Sequence, residues 1–264
     1  MLVSHRVAVH GARGVPTPQQ WTFGVGLPER RWAQRDTTVR LCRSTLRARV
    51  TIRVGASVAA MGLYRDHVVP RLVDVACGTA GLARWRTRVC DGLAGRVVEI
   101  GFGAGRNVPF YPAEVTTVYA VEPSTASMKM AFKRNAASRV RIEHVGLDGG
   151  EIQLADGSCD AALMTFTLCT VSDPRQVLAE IRRVLVPGGQ LHFLEHGIAP
   201  EPSIARWQVR LDPWERRLAD GCHLTRDALE LVTEAGFLIE TVEQRYARGP
   251  KPWSYFTLGV ATSP

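Results

Sequence analysis

The stretch Val97-Val98-Glu99-Ile100-Gly101-Phe102-Gly103-Ala104-Gly105 constrains this chain more than any other. An apolar run ends in three alternating glycines, so a buried strand passes into a tight turn whose backbone can approach a ligand without Cβ obstruction. A dinucleotide fingerprint, G-x-G-x-x-G, requires glycine at position 106, and Arg106 stands there. Glu99 precedes the first glycine by two residues. A carboxylate there suits a ligand with a positively charged amino-acid portion better than a pyrophosphate, which is itself negative. Farther on, Glu122 ends the next apolar run, where a carboxylate can hold ribose hydroxyls through its two oxygens.

Around this turn the chain alternates strand and helix signals. Strands are predicted over 96–100, 117–121, 140–145, 159–165, 190–195, 238–243 and 255–261. Helical spacing covers 124–137 and 174–185, the latter with Val177, Leu178, Ile181, Val184 and Leu185 on one face. A further helix spans 225–235, with Thr225 as its N-cap and Gly236 as its stop. The pattern predicts an α/β fold, a Rossmann-like, mostly parallel seven-stranded sheet with helices on both faces.

The net charge of +8 is a nucleic-acid signal only until it is divided along the chain. Residues 1–60 carry ten Arg and no Lys against Glu29 and Asp36, which accounts for all of it, and everything from Met61 onward is balanced. The excess therefore belongs to a Gly/Pro-bearing leader, read as disordered or as an upstream extension of a protein starting at Met61. Residues 61–264 form the functional domain. No nucleic-acid partner is expected. The longest uncharged apolar run near the N-terminus, 54–64, is about half the ~20 residues of a membrane-spanning helix, which excludes a span and leaves peripheral membrane contact open.

Cys42, Cys77, Cys90, Cys159, Cys169 and Cys222 include no C-x-x-C pair and no His-plus-Cys cluster at metal-ligand spacing. No metal is expected, and with no secretory signal the thiols are read as reduced, mostly buried and cytoplasmic.

The glycine turn and the two acids resemble the class I S-adenosylmethionine (SAM) dependent methyltransferases, which carry E/D-x-G-x-G-x-G and an acid ending the second strand. The resemblance implies SAM as cofactor and a C-terminal antiparallel hairpin in the sheet. It places Glu99, Gly101, Gly103 and Gly105 around the methionine portion, Glu122 on the ribose and Asn107 among the cofactor-binding residues. It also places Asp148 at the adenine amino group, Gly149 in backbone contact with the adenine, and Thr165 at the end of the fourth strand among the cofactor-binding residues.

The C-terminal half narrows the match. Thr165 to Val171 reads TFTLCTV, followed by RRVLVPGG, FLEHG and LDPWERRLADGCHLTR. The composite of Glu195-His196, Leu211-Asp212-Pro213, Asp220-Gly221-Cys222 and Leu224-Thr225-Arg226 resembles the thiol S-methyltransferases of the methyltransferase-like seven group and their bacterial relatives. That eukaryotic group carries an apolar N-terminal anchor, which the Arg-rich leader here does not match. Thr165-Phe166-Thr167-Leu168 also lacks the N/D-P-P-Y/F motif of enzymes that methylate planar nitrogens, which disfavours adenine or glutamine as acceptor.

A small, fairly apolar acceptor, a thiol by resemblance, is therefore expected, in a pocket walled by Phe166, Leu168, Trp207 and Trp214. Methyl transfer from a sulfonium is an in-line displacement that needs positioning more than acid–base power. His196, just after the fifth strand, lies at the carboxyl edge of the sheet and is the candidate catalytic residue, accepting or steering the acceptor proton. His223 is read mainly as structural and Cys169 as buried. The other readings are O- or C-methylation of quinones or phenols, N-methylation of lipid amines, and a non-catalytic SAM-binding or nucleic-acid-binding module.

Overall fold

The computed structural model describes residues 68–219 and 221–264. The leader 1–60, the start at Met61, Cys42 and Asp220 lie outside the described residues. Two helices come first, α1 (Val69–Cys77), with Pro70 in its first turn, and α2 (Ala80–Cys90). After them come β1 (Gly95–Ile100), a 3-10 turn at Val108–Phe110, β2 (Val115–Val121), α3 (Thr125–Ala136), β3 (Arg141–Gly146), β4 (Cys159–Thr165), α4 (Pro174–Val184) and β5 (Leu185–His196). The chain continues through α5 (Pro202–Leu218), α6 (Ala228–Glu234), β6 (Leu238–Tyr246), the single turn α7 (Lys251–Ser254) and β7 (Tyr255–Thr262).

All seven strands join one sheet in the order β3-β2-β1-β4-β5-β7-β6. The first five run parallel, and β7 enters antiparallel between β5 and β6, which makes the C-terminal hairpin. Strands buried on both faces need apolar side chains pointing both ways, and β1 and β4 have them. Val98, Ile100, Ala162, Met164, Leu191 and Phe193 share one core with Val177, Leu178, Ile181 and Val184 of α4 and with Ala228 and Val232 of α6. Val97, Ala161, Leu163 and Leu194 point the other way, into a second core with Trp85 and Val89 of α2 and Ala131 of α3.

The predicted ends move in several places. Thr225 does not cap α6. Asp227 does, its carboxylate accepting from the N–H groups of Leu229 and Glu230, while the Thr225 hydroxyl turns to Asp212. Gly236, at φ 83°, stops that helix as expected, its N–H returning to Thr233 O. Strand β5 begins at Leu185 because that residue pairs with Cys159 before the register shifts to Gln190 opposite Ala161. Among the described residues no helix is long and apolar enough to cross a membrane.

Candidate cofactor and acceptor site

A cavity of about 490 Å³ opens at the carboxyl ends of β1, β2 and β4, beside the loop that follows β3. This edge is where parallel α/β sheets bind ligands. The glycine turn forms its floor. Gly101 has φ 72°, and a Cβ there would collide with the Thr167 side chain, whose hydroxyl donates to Ile100 O at 3.0 Å. Gly103, at φ 57°, would bring a Cβ only into ordinary contact with Gly101 O at 3.8 Å, so its backbone conformation alone calls for glycine.

Glu122 closes the turn from β2. Its carboxylate accepts from Gly103 N at 2.7 Å and Ser124 N at 2.8 Å, while it lines the cavity and is 6% exposed. These bonds hold the carboxylate at the edge of the cavity and tie the glycine turn to the chain after β2.

Glu99 is placed differently from a simple ligand-facing acid. It is buried, with Asn107 Nδ2 donating to one oxygen at 2.9 Å and the Tyr111 hydroxyl donating to the other. Asn107 also reaches Thr165 Oγ1 at 3.1 Å, and its own Oδ1 accepts from Arg86 Nη1 at 2.6 Å. Burial pushes the Glu99 carboxyl up to about 7 against the pull of Tyr111, Asn107 and Arg86. Arg86, which no sequence motif marks, comes in from α2 and lines the cavity with Asn107 and Thr165.

Of the other sequence-predicted residues, Asp148 and Gly149 line the opposite wall, where Asp148 Oδ1 accepts from Gly150 N at 2.8 Å. Gly105 packs away from the cavity, against Phe102, Val108 and Ala131. Phe166 lines the cavity and is the one described non-glycine residue with positive φ, 56°. Leu168 is in the apolar core, and Trp207 and Trp214 stand 54% and 64% exposed on α5. None of those three lines the cavity, and for the two tryptophans the reason is that the α5 face that packs inward carries Gln208 and Asp212 instead.

His196 ends β5 behind Phe166, the two rings stacked at 6.4 Å between centroids. Its Nε2 lies 2.9 Å from Cys222 Sγ, and Cys169 is the third member of the cluster. The folded chain thus assembles a His-plus-Cys group that linear spacing did not show. Burial opposes charge on His196, but its bond to Cys222 and the nearby Cys222 and Glu195 charges hold it above the ordinary histidine range. The Cys169 hydrogen bond and, after it, His196 pull the Cys222 thiol down to about 6. The His223 backbone N–H donates to Cys169 O at 2.8 Å.

The C-terminal sequence composite turns out to be a clasp. Asp212 Oδ1 accepts from Leu224 N at 2.8 Å, and Gln208 holds Ala199 N, Gly197 O and Pro252 O. Arg226 Nη1 donates to Leu168 O and Val171 O, at 2.6 and 2.7 Å. These bonds fasten the loop carrying Cys222 to the turn carrying Cys169.

Residues 98–193 match the methyltransferase domain family. The rat thiol S-methyltransferase TMT1B is 38% identical over 167 residues, covering 62% of this chain and 66% of the rat protein. Its human counterpart is 38% identical over 174 residues, covering 64% of this chain and 69% of that protein. The chain thus spans about two thirds of these relatives' length. A demethylmenaquinone methyltransferase of Clavibacter sepedonicus is 32% identical, covering 46% of this chain and 51% of the relative. For a phosphatidylethanolamine N-methyltransferase of Cereibacter sphaeroides the figures are 28%, 57% and 72%. A SAM-dependent methyltransferase from Thermotoga maritima shares the fold with a TM-score of 0.56 at 24% identity, covering 77% of this chain and 99% of that one.

Proposed function

The chain belongs to the class I SAM-dependent methyltransferases, and from that premise we propose that it methylates a small, fairly apolar thiol. The observation that carries the reading is the convergence of Glu122, the glycine turn and the Glu99–Asn107–Arg86–Thr165 network on one cavity at the sheet edge. These residues fit SAM. Gly101 and Gly103 let backbone approach it, Glu122 presents its carboxylate to the ribose, and the Glu99 charge favours the cofactor's ammonium. Asp148 and Gly149 hold the adenine end, and Gly105 keeps the turn packed on α3.

Bound SAM supplies an electrophilic methyl group on a sulfonium sulfur. The chain's own part is to hold that methyl in line with an acceptor at ~3 to 3.5 Å and to keep water out. Phe166, in a strained conformation beside the cavity and packed on Phe256 at 5.1 Å, is the apolar wall for such an acceptor. A thiol is already a few per cent thiolate at neutral pH, so modest help with its proton suffices. His196 is the acceptor-side group of this proposal. Residues 61–264 carry the function, and the leader plays no part in it.

A screen with methyl-labelled SAM against aliphatic thiols, phenols, quinols and amines tests the reading. Labelled thioether is the expected product. Turnover of phenols, quinols or lipid amines with thiols inert would replace the thiol by the acceptor class of the demethylmenaquinone or phosphatidylethanolamine relatives. Absence of both turnover and SAM binding would sink the proposal entirely.

A further inference from the structure

Cys169, His196 and Cys222 come from three segments, the turn after β4, the end of β5 and the loop after α5. Their potential ligand atoms all lie within 4.8 Å of one another, and the two cysteines are 2% and 6% exposed. We infer that this juxtaposition of two thiols and one imidazole is a binding site for a soft divalent cation of the zinc type. The inference rests on the thiol-transfer reading for its use, though not for its existence.

The ligand chemistry selects the ion. Two sulfurs and a nitrogen suit zinc and leave calcium or magnesium without the oxygens they require. Zinc–sulfur and zinc–nitrogen lengths of ~2.3 and ~2.0 Å at tetrahedral angles put donor atoms roughly 3.5 to 4 Å apart. The ligand atoms here lie within 4.8 Å of one another, close to that spacing. Charge agrees, because two thiolates neutralise a dication and a neutral complex is the form a buried site tolerates. The site is also held from outside. Arg226 grips the carbonyls of Leu168 and Val171 on either side of Cys169, and His223 N binds Cys169 O.

His196 Nδ1 and Glu195 Oε2 are buried polar atoms with no hydrogen-bond partner among the described residues. Burying such groups unpaired is costly, and the cost is commonly accepted where function needs them.

Three protein ligands leave one coordination position open, as in catalytic zinc sites. An acceptor thiol entering there releases its proton to solvent and binds as thiolate. Its sulfur lone pair then forms the new carbon–sulfur bond, the methyl–sulfonium bond breaks with its electron pair returning to the cofactor's sulfur, and the neutral thioether leaves the cation. In this arrangement His196 acts as a ligand and touches the reacting group through the ion.

The test is metal content and spectrum, read separately from activity. Full-length protein purified with a phosphine reductant should retain about one zinc per chain. After chelator stripping, titration with cobalt(II) should give thiolate-to-cobalt charge-transfer absorption with the intense visible bands of four-coordinate cobalt, and added small thiol should shift those bands. Cys169→Ala and Cys222→Ala should each lose about half of the charge-transfer intensity, while Cys159→Ala keeps all of it. Stripped wild-type protein that is folded by circular dichroism yet shows no such absorption overturns the site. So does an unchanged spectrum in the Cys169→Ala/Cys222→Ala double variant. Metal binding without thiol turnover leaves the site standing and removes the thiol acceptor, whereas full thiol turnover by protein that binds no cobalt removes the site and leaves the acceptor.

Discussion

Replacing Glu122 by alanine separates what this carboxylate does for the fold from what it does for a ligand. It accepts two backbone N–H groups, from Gly103 at 2.7 Å and Ser124 at 2.8 Å, so truncation orphans both. Hydrogen bonds to a charged group contribute about 1.5 to 3 kcal/mol each. Because both N–H groups sit beside an open cavity where water can replace the lost acceptor, the lower figure applies, and a loss of about 3 kcal/mol in unfolding free energy is expected for the pair. SAM should lose a further ~1 to 3 kcal/mol of binding, roughly five- to 150-fold in Kd, from ribose hydroxyls left without their acceptor. Urea unfolding and calorimetric titration with SAM and S-adenosylhomocysteine read the two losses independently. Glu122→Gln, which keeps one acceptor oxygen, should recover about half of the stability. A folded Glu122→Ala protein that binds SAM as tightly as wild type would refute the ribose role, and one as stable as wild type would refute the backbone role as well.

Gly101→Ala should abolish measurable SAM binding, and adding Thr167→Ala should restore only part of it, since that removes the collision but leaves a positive φ costing about 1 to 2 kcal/mol for a non-glycine residue; paired calorimetric titrations decide. Glu99, lifted to about 7 by burial, holds its proton longer in the folded chain than in the unfolded one. Its contribution to stability therefore falls as pH rises from 4.5 to 7, by on the order of 3 kcal/mol, and Glu99→Gln should flatten that slope in urea melts. The same carboxylate must ionise to favour the ammonium of SAM, so wild-type affinity should rise with pH up to about 7 while that of Glu99→Gln stays flat and weaker. A protein beginning at Met61 should fold, bind SAM and turn over; failure to fold by circular dichroism would show that the leader packs on the domain.

What was legible depended on whether one stretch of chain carries the whole signal. The strands β1 and β4 announce themselves because each is buried on both faces and mostly apolar, and all but two predicted strand starts fall within one residue of those observed. Gly101 and Glu122 were readable because a strand followed by a tight turn fixes where their atoms go. Arg86 was not, since nothing in the helical sequence of α2 says that its guanidinium meets Asn107. Trp207 and Trp214 misled because aromatic residues near a catalytic motif look like pocket walls, whereas the α5 register turns them to solvent. Thr225 gave way to Asp227 once its hydroxyl had a tertiary partner in Asp212. The Cys169–His196–Cys222 group escaped notice because its members are brought together only by the sheet and the clasp.

Strand β7 is the last of the seven in chain order, yet it lies inside the sheet, between β5 and β6. On the ribosome this divides the molecule in time. The strands β1 to β4, which bring the glycine turn, Glu122 and Thr165 together, can associate while the C-terminal third is still being made. β5 has to wait with an open edge, because its second neighbour emerges only at the end. Pulse proteolysis of chains halted before Tyr255 should find the first four strands protected and β5 cleaved. The half that holds the cofactor is thus ready early, and the half that carries His196 becomes rigid only when translation of the final hairpin is complete.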